Sequence, residues 1–234
     1  MEIAVVGTIY IDNDRTYNQA KATLCSMVSD HHLRFYGRVS KLEDQYGDIL
    51  TYFDHVVKND ENILSKSWNQ GTEKALKDGC DYVILPNLDI KLFDDTIDNL
   101  VKFAQSDDSV MWSGRCLNTG VTYPQGDFIV NSYTVYDNFS FFMVNDKLFD
   151  RVGKFDENFI PCYGEDVDIQ YRIELAGEKH TCVADARFIH YGQTTANNSP
   201  DWIGKSPQDQ AHKYFEKKWG GFPREHKFKT PFNE

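Results

Sequence analysis

The sequence predicts an α/β fold built around a mostly parallel central sheet. Three observations carry this: short apolar runs alternate with helical patterns through the first half, polar clusters follow the ends of those runs, and one run, Asp81 to Leu85, has a clear strand signature. Strands separated by helix-length segments imply βαβ crossovers, which place successive strands parallel. With 234 residues and 41% hydrophobic content the chain can bury a full-size core, and we read 1–234 as one domain.

The elements follow in order. Ile3 to Gly7 reads as a buried strand, and Thr16 to Ser29 as a helix with Ala20, Leu24, Met27 and Val28 on one face. His55 to Val57 is a second strand, ending at Lys58-Asn59-Asp60. Ser65 to Asp78 carries Trp68, Ala75 and Leu76 at near-helical spacing, and Gly79 is its stop. After the strand at 81–85 comes Pro86-Asn-Leu-Asp89, then a helix from Asp94 to Gln105 with Ile97, Leu100, Val101 and Ala104 inward. Ser109 to Gly114 and Ser140 to Val144 read as strands, joined by a polar, aromatic loop, Leu117 to Asn138, that suits an acceptor surface. A helix opens at Gly164-Glu165-Asp166, buries Ile169, Ile173 and Ala176, and stops at Gly177. Thr181 to His190 is a strand ending in a histidine.

The net charge of −11, from 25 basic and 36 acidic residues, repels phosphate backbones and anionic lipid, so nucleic acid is a disfavoured partner. The five cysteines are odd in number and scattered, with no Cys-x-x-Cys pair, and read as reduced thiols. An apolar run begins directly after Glu2, so neither a signal peptide nor a membrane span is expected, and the expected location is cytoplasmic.

In an open α/β sheet, ligands sit beyond the carboxyl ends of the strands. That rule puts Thr8, Asn59, Asp60 and Asn87 to Asp89 on one rim. Asn87-Leu88-Asp89 has two readings: an ordinary turn, or a short acidic motif holding Mg²⁺ or Mn²⁺ against a diphosphate, with Asp89 as ligand. Glu165 and Asp166 either complement the helix dipole or include a general base for a hydroxyl. His190 is either a satisfied strand-end residue or a further metal ligand. The polar stretch 193–208 is either a lid or a surface loop.

Taken in order, these motifs resemble the family 2 inverting glycosyltransferases of GT-A type, especially the rhamnosyltransferase-like branch, where Asn-x-Asp stands for the more usual Asp-x-Asp. Asn69-Gln-Gly71 resembles the family's Asn-x-Gly helix. Phe141 to Val144, Gly153, Phe155-Asp156 and Phe159 resemble the approach to its Glu-Asp motif. His190-Tyr-Gly192 resembles its metal histidine, and Tyr214 to Gly220 its closing helix. The first strand departs from the pattern: Gly7-Thr8-Ile9-Tyr10 lacks the usual proline and following asparagine.

The resemblance implies a GT-A domain with a nucleotide-sugar half at 1–105 and an acceptor half at 106–234 that includes a lid and a closing helix. It implies Asp89 and His190 as ligands of a divalent cation (Mn²⁺ or Mg²⁺), Asp166 as base and Glu165 as acceptor-orienting residue. Thr8, Tyr10, Asn59, Asp60, Asn69 and Asn87 would contact the donor. The implied activity is hexosyl or pentosyl transfer from a nucleotide-sugar to a glycan or other hydroxyl. Two alternatives are a non-catalytic nucleotide-sugar or carbohydrate-binding module and a nucleotidyltransferase. The latter lacks its glycine-rich, basic loop after the first strand, and Gly-x-Gly-x-x-Gly, the dehydrogenase fingerprint, is likewise absent there.

Overall fold

The computed structural model describes residues 1–120, 122–132, 139–192 and 206–234. Nine strands form one sheet: β1 (Glu2–Ile11), β2 (His32–Leu42), β3 (His55–Lys58), β4 (Tyr82–Pro86), β5 (Ile90–Leu92), β6 (Met111–Cys116), β7 (Phe128–Ile129), β8 (Phe141–Val144) and β9 (His180–His190). Their order is β3-β2-β1-β4-β8-β6-β9-β5, with β7 also pairing to β9. The strands β1 to β4, β6 and β9 share one direction, and β5, β7 and β8 run against them. This is the mixed, mostly parallel α/β arrangement that the sequence predicts. Among the described residues the α-helices are α1 (Asp14–Cys25), α2 (Leu64–Lys77), α3 (Thr96–Ala104), α4 (Asp146–Arg151), α5 (Glu165–Leu175) and α6 (Pro207–Trp219).

Both faces of the sheet are covered, and β1 shows how. Ile3, Val5, Ile9 and Ile11 point into one core with Ala20 and Leu24 of α1 and Ile97, Leu100 and Val101 of α3. Ala4 and Val6 point into the other, with Trp68 and Ala75 of α2, Leu148 of α4, and Ile169 and Ile173 of α5. Period-two alternation with apolar residues on both sides is the mark of a buried parallel strand. Each such large side chain contributes roughly 1.5–3 kcal/mol by leaving water. Gly71 lets α2 approach β1 closely, since a Cβ there would stand 2.3 Å from Val6 Cγ1.

Several boundaries differ from expectation. β2 was not anticipated as a strand: it carries Arg34, Arg38 and Lys41 and is broken by Gly37, which hides its alternation. Helix α1 starts at the Asn13 cap, whose side chain accepts from the Arg15 and Thr16 amides at 3.0 Å each, and ends at Cys25. Met27 is buried beyond that end, while Val28 is exposed. Ala176, expected on the buried face of α5, is exposed at its C-cap. The loop at 117–138 contains β7, and residues 121 and 133–138 lie outside the described residues. All five cysteines are free thiols. Among the described residues no helix is long and apolar enough to cross a membrane.

The division at residue 105 does not mark separate bodies. β8 lies between β4 and β6, and β5 pairs with β9, so each half completes the sheet of the other.

Candidate active site

The turn Asn87 to Asp89 joins β4 to β5, and β5 runs antiparallel to the end of β9 with Ile90 opposite His190. The Tyr191 amide donates to the Asp89 carbonyl at 2.9 Å, extending that pairing by one step. Asp89 and His190, 101 positions apart, thereby meet, with His190 Nε2 3.0 Å from Asp89 Oδ1. The other ring nitrogen, Nδ1, lies 3.1 Å from Ser140 Oγ. Asn118 clamps the histidine backbone, accepting from its amide at 3.0 Å and donating to its carbonyl at 2.8 Å. The Asn87 amide donates to the Ser140 carbonyl at 2.8 Å, and its Nδ2 lies 3.4 Å from Ser140 Oγ. Ser140 thus ties the turn after β4 to the histidine.

This pair fits a divalent cation. Octahedral bonds of about 2.1 Å place neighbouring ligand atoms about 3.0 Å apart, and the Asp89–His190 separation is 3.0 Å. The carboxylate suits Mn²⁺ or Mg²⁺, and the imidazole, a nitrogen ligand, favours the softer Mn²⁺ of the two. The histidine also has an outer partner in Ser140, as metal-binding imidazoles require. Among the described residues no group of three or more His, Cys, Asp or Glu is placed to hold a metal ion.

The second acidic motif opens α5. Tyr163 and Gly164 both have positive φ, 75° and 85°, and a Cβ at Gly164 would stand 2.9 Å from the Phe159 ring. A glycine is therefore needed where the chain turns into the helix. Glu165 is buried, and its Oε2 has no hydrogen-bond partner. Burial, then the neighbouring Asp166 charge, pushes its carboxyl well above the ordinary range. Burial also raises Asp166, while the Val167 amide, donating at 2.8 Å, and the charge of Arg224 work against that rise.

The Tyr163 phenol is pushed up to about 12, by burial first and then by the charges of Cys162, Glu165 and Asp89. Asp168, third acid of this helix turn, has a different part: fully buried, it accepts from Arg172 Nε at 2.9 Å and Trp219 Nε1 at 2.8 Å and pairs with Lys218 at 2.6 Å.

Along the rim of β1, β2 and β3 the expected donor residues divide. Thr8 Oγ1 is buried without a hydrogen-bond partner. Lys41 Nζ sits 5.7 Å from the centre of the Tyr10 ring. The Asn59 amide donates to the Val39 carbonyl at 2.7 Å, and its Nδ2 donates to Ser40 and Ser67. Asp60 is exposed at the end of the same loop. Asn69 departs from expectation as a donor residue. It is buried, its Nδ2 donates to the Phe155 carbonyl and to Glu157 Oε1, and its Oδ1 accepts from the Phe155 amide, each at 2.9 Å. Its carboxamide pins the approach to α5 instead. Arg38 was missed altogether, because it sits in the unanticipated strand; its guanidinium reaches Gln70 of α2. The proposed lid falls mostly on residues 193–205, outside the described residues.

The chain thus folds as a mixed nine-stranded sheet with helices on both faces and the Asp89 turn at the carboxyl end of a central strand. Among solved structures the chain is similar to S. aureus TarS 1–349, with a TM-score of 0.62 and 14% identity over 84% of this chain and 63% of that one. The same TarS segment in complex with UDP-GlcNAc gives 0.61 and 15% over 80% and 57%. GalNAc-T7 with UDP, GalNAc and Mn²⁺ gives 0.67 and 14% over 93% and 48%. The chain thus spans less than two thirds of each of these structures. No family model matches the sequence, and no curated protein matches it. At these identities the likeness establishes the fold.

Proposed function

We propose that the chain is a metal-dependent inverting glycosyltransferase of the rhamnosyltransferase-like branch, using a nucleotide-sugar donor and acting in the cytoplasm on a glycan or other hydroxyl-bearing acceptor. The observation that carries this is the Asp89–His190 pair, 3.0 Å apart at the carboxyl end of the central strand β4. The TarS and GalNAc-T7 structures with UDP or a UDP-sugar support a nucleotide-sugar donor by analogy of fold.

Asp89 and His190 would hold Mn²⁺ or Mg²⁺, which when bound neutralises charge developing on the departing diphosphate. Ser140 steadies His190, and Asn87 ties the turn that carries Asp89 to Ser140. Asp166 takes the proton from the acceptor hydroxyl as its oxygen bonds to the anomeric carbon. The bond from that carbon to the diphosphate breaks on the opposite face, and the nucleoside diphosphate leaves with the electron pair. No covalent sugar–protein intermediate is needed. Glu165, whose carboxyl burial raises well above its ordinary range, would orient the acceptor beside Asp166.

A non-catalytic binding module is favoured by one feature, Asn87 in place of a carboxylate, with its amide turned to Ser140. A panel of nucleotide-sugars with Mn²⁺ tests both readings. A rise in Tm with one donor, together with Mn²⁺-dependent turnover of that donor lost in Asp89→Ala, supports the enzyme. Binding without turnover supports the module.

A further inference from the structure

We propose that Thr23, in the last turn of α1, is a positioning residue that holds the backbone of Asp89 in place and thereby sets the affinity for the divalent cation. This rests on the metal reading above and deepens it. The starting point is an open edge. Among the described residues β5 pairs only with β9, over three positions, so its other edge has no strand beside it. In an antiparallel ladder alternate residues turn both backbone polar groups away from the partner strand. In β5 these are Ile90 and Leu92, whose amides point to α1.

Helix α1 covers that edge with hydroxyls in place of a strand. Thr23 Oγ1 donates to the Ile90 carbonyl at 2.6 Å and accepts from the Ile90 amide at 3.1 Å. Ser26, the C-cap of α1, accepts from the Leu92 amide at 3.1 Å and donates back to the Thr23 carbonyl at 2.8 Å. Thr23 is fully buried, beside the apolar core residues Ala20 and Leu24 of the same helix. A helical threonine ordinarily turns its hydroxyl to a carbonyl one turn back. This one bonds a strand 67 positions away, and it supplies the donor and the acceptor that a neighbouring strand would have supplied.

The consequence for Asp89 follows from peptide planarity. The Ile90 amide belongs to the peptide unit that joins it to Asp89, and the carbonyl of that same unit accepts from the Tyr191 amide at 2.9 Å. The unit is rigid and includes the Asp89 Cα. It is gripped at one pole by the continuation of β9 and at the other by Thr23. With the β9 bond alone it would be free to tilt about that bond, carrying the Asp89 Cα and its carboxylate away from His190. Asn118 grips the backbone of His190 in the same manner, at both its amide and its carbonyl. Each member of the pair is thus steadied by a side chain acting on its main chain, and the 3.0 Å separation of Asp89 and His190 depends on both.

The test is Mn²⁺ binding to the full chain, read from the electron paramagnetic resonance of the free ion, with the site defined as the binding lost in Asp89→Ala. Thr23→Val keeps the shape and removes the hydroxyl, and should weaken that site about tenfold or more, as loss of a partner behind a metal ligand does. Thr23→Ser keeps the hydroxyl and should stay within about twofold of the parent. Ile97→Val of α3 trims the same core without touching β5, so its Tm should fall while its Mn²⁺ affinity holds. Added to Asp89→Ala, Thr23→Val should change Mn²⁺ binding no further. An unshifted Thr23→Val, equal weakening by valine and serine, or an equal shift in Ile97→Val would each overturn the proposal and leave the metal reading standing. If Thr23→Val does not fold, Ser26→Ala decides in its place: weaker Mn²⁺ binding supports the proposal and an unchanged affinity overturns it. Absence of any Asp89-dependent Mn²⁺ binding in the parent would remove the metal reading itself.

Discussion

Asp166 and Asp89 have separable duties in the proposed transfer, and the separation can be measured. Removing a positioned base typically costs 10²–10⁴ in rate, so Asp166→Asn should lower kcat by roughly that factor while donor affinity in Mn²⁺ stays within about twofold. Near-normal turnover would remove the assignment. Asp89→Ala should act on binding first, raising the Mn²⁺ concentration needed for half-maximal donor affinity by tenfold or more, about 1.4 kcal/mol. An unshifted Mn²⁺ titration would discard the ligand role. The places of the two acidic motifs in the fold were legible in the sequence because one follows a strand end and the other opens a helix. Ser140 and Asn118, which hold His190 in place, were not, since their contact with it is made only by tertiary packing. Asn69 was misread for a related reason: a local Asn-x-Gly pattern does not reveal that the carboxamide is used by the Phe155 backbone, 86 positions away.

Among the elements, α5 is the one whose placement governs the acids, and α6 fastens it. Lys218 is nearly buried, with its ammonium 2.7 Å from Asp156 and 2.6 Å from Asp168. Tyr214 donates to Asp156 at 2.9 Å, and Trp219 packs edge-on to Tyr171 with centroids 4.9 Å apart. Burial by itself would raise the Asp156 carboxyl, but Lys218 and the Asn158 amide outweigh it and hold the group below its usual range. Deleting one partner of a buried ion pair strands the other, at a cost of roughly 3–5 kcal/mol. Lys218→Met should therefore destabilise the chain by that order in urea unfolding, whereas a solvent-facing lysine would give a change within about 0.5 kcal/mol. The helices α2, α3 and α5 were legible through their periodic apolar faces. β2 was not, because a strand covered by α2 on one side and by Phe53 and the turn before β3 on the other tolerates basic residues at its rim end, and they mask the pattern.

At the scale of the whole molecule, His180 makes stability depend on pH. It is fully buried between Gln170 and Ser113, at 2.6 and 2.8 Å, joining α5 to β6 and β9. Desolvation lowers its pKa from 6.5 to about 3. The unfolded imidazole therefore takes up a proton on acidification through 6.5 while the folded one stays neutral, and unfolding gains about 1.4 kcal/mol per pH unit until the folded group titrates. Glu165 and Asp166 work in the opposite sense, since their raised carboxyls favour the folded state in acid and lose that contribution as pH rises through their folded pKa values. The contribution of His180 is thus the difference between two slopes. From pH 6.5 to 4.5, His180→Gln should lose stability less steeply than the parent by about one proton's worth; identical slopes would show that the imidazole protonates in place. The α/β class was legible from alternation alone, but the interleaving of the two halves was not, because nothing local announces that β8 will lie against β4.

The meeting of Asp89 with His190 is set by a ladder only three residues long, β5 against the tail of β9. Side chains along a strand point alternately up and down, so a slip of one residue in that ladder would swing the imidazole to the reverse side of the sheet. The short strand β5 and the tail of β9 thus act as a gauge block for the Asp89–His190 spacing. Lengthening the distant loops leaves that spacing intact, whereas a one-residue insertion within 187–190 would break it even with every functional side chain still in the chain.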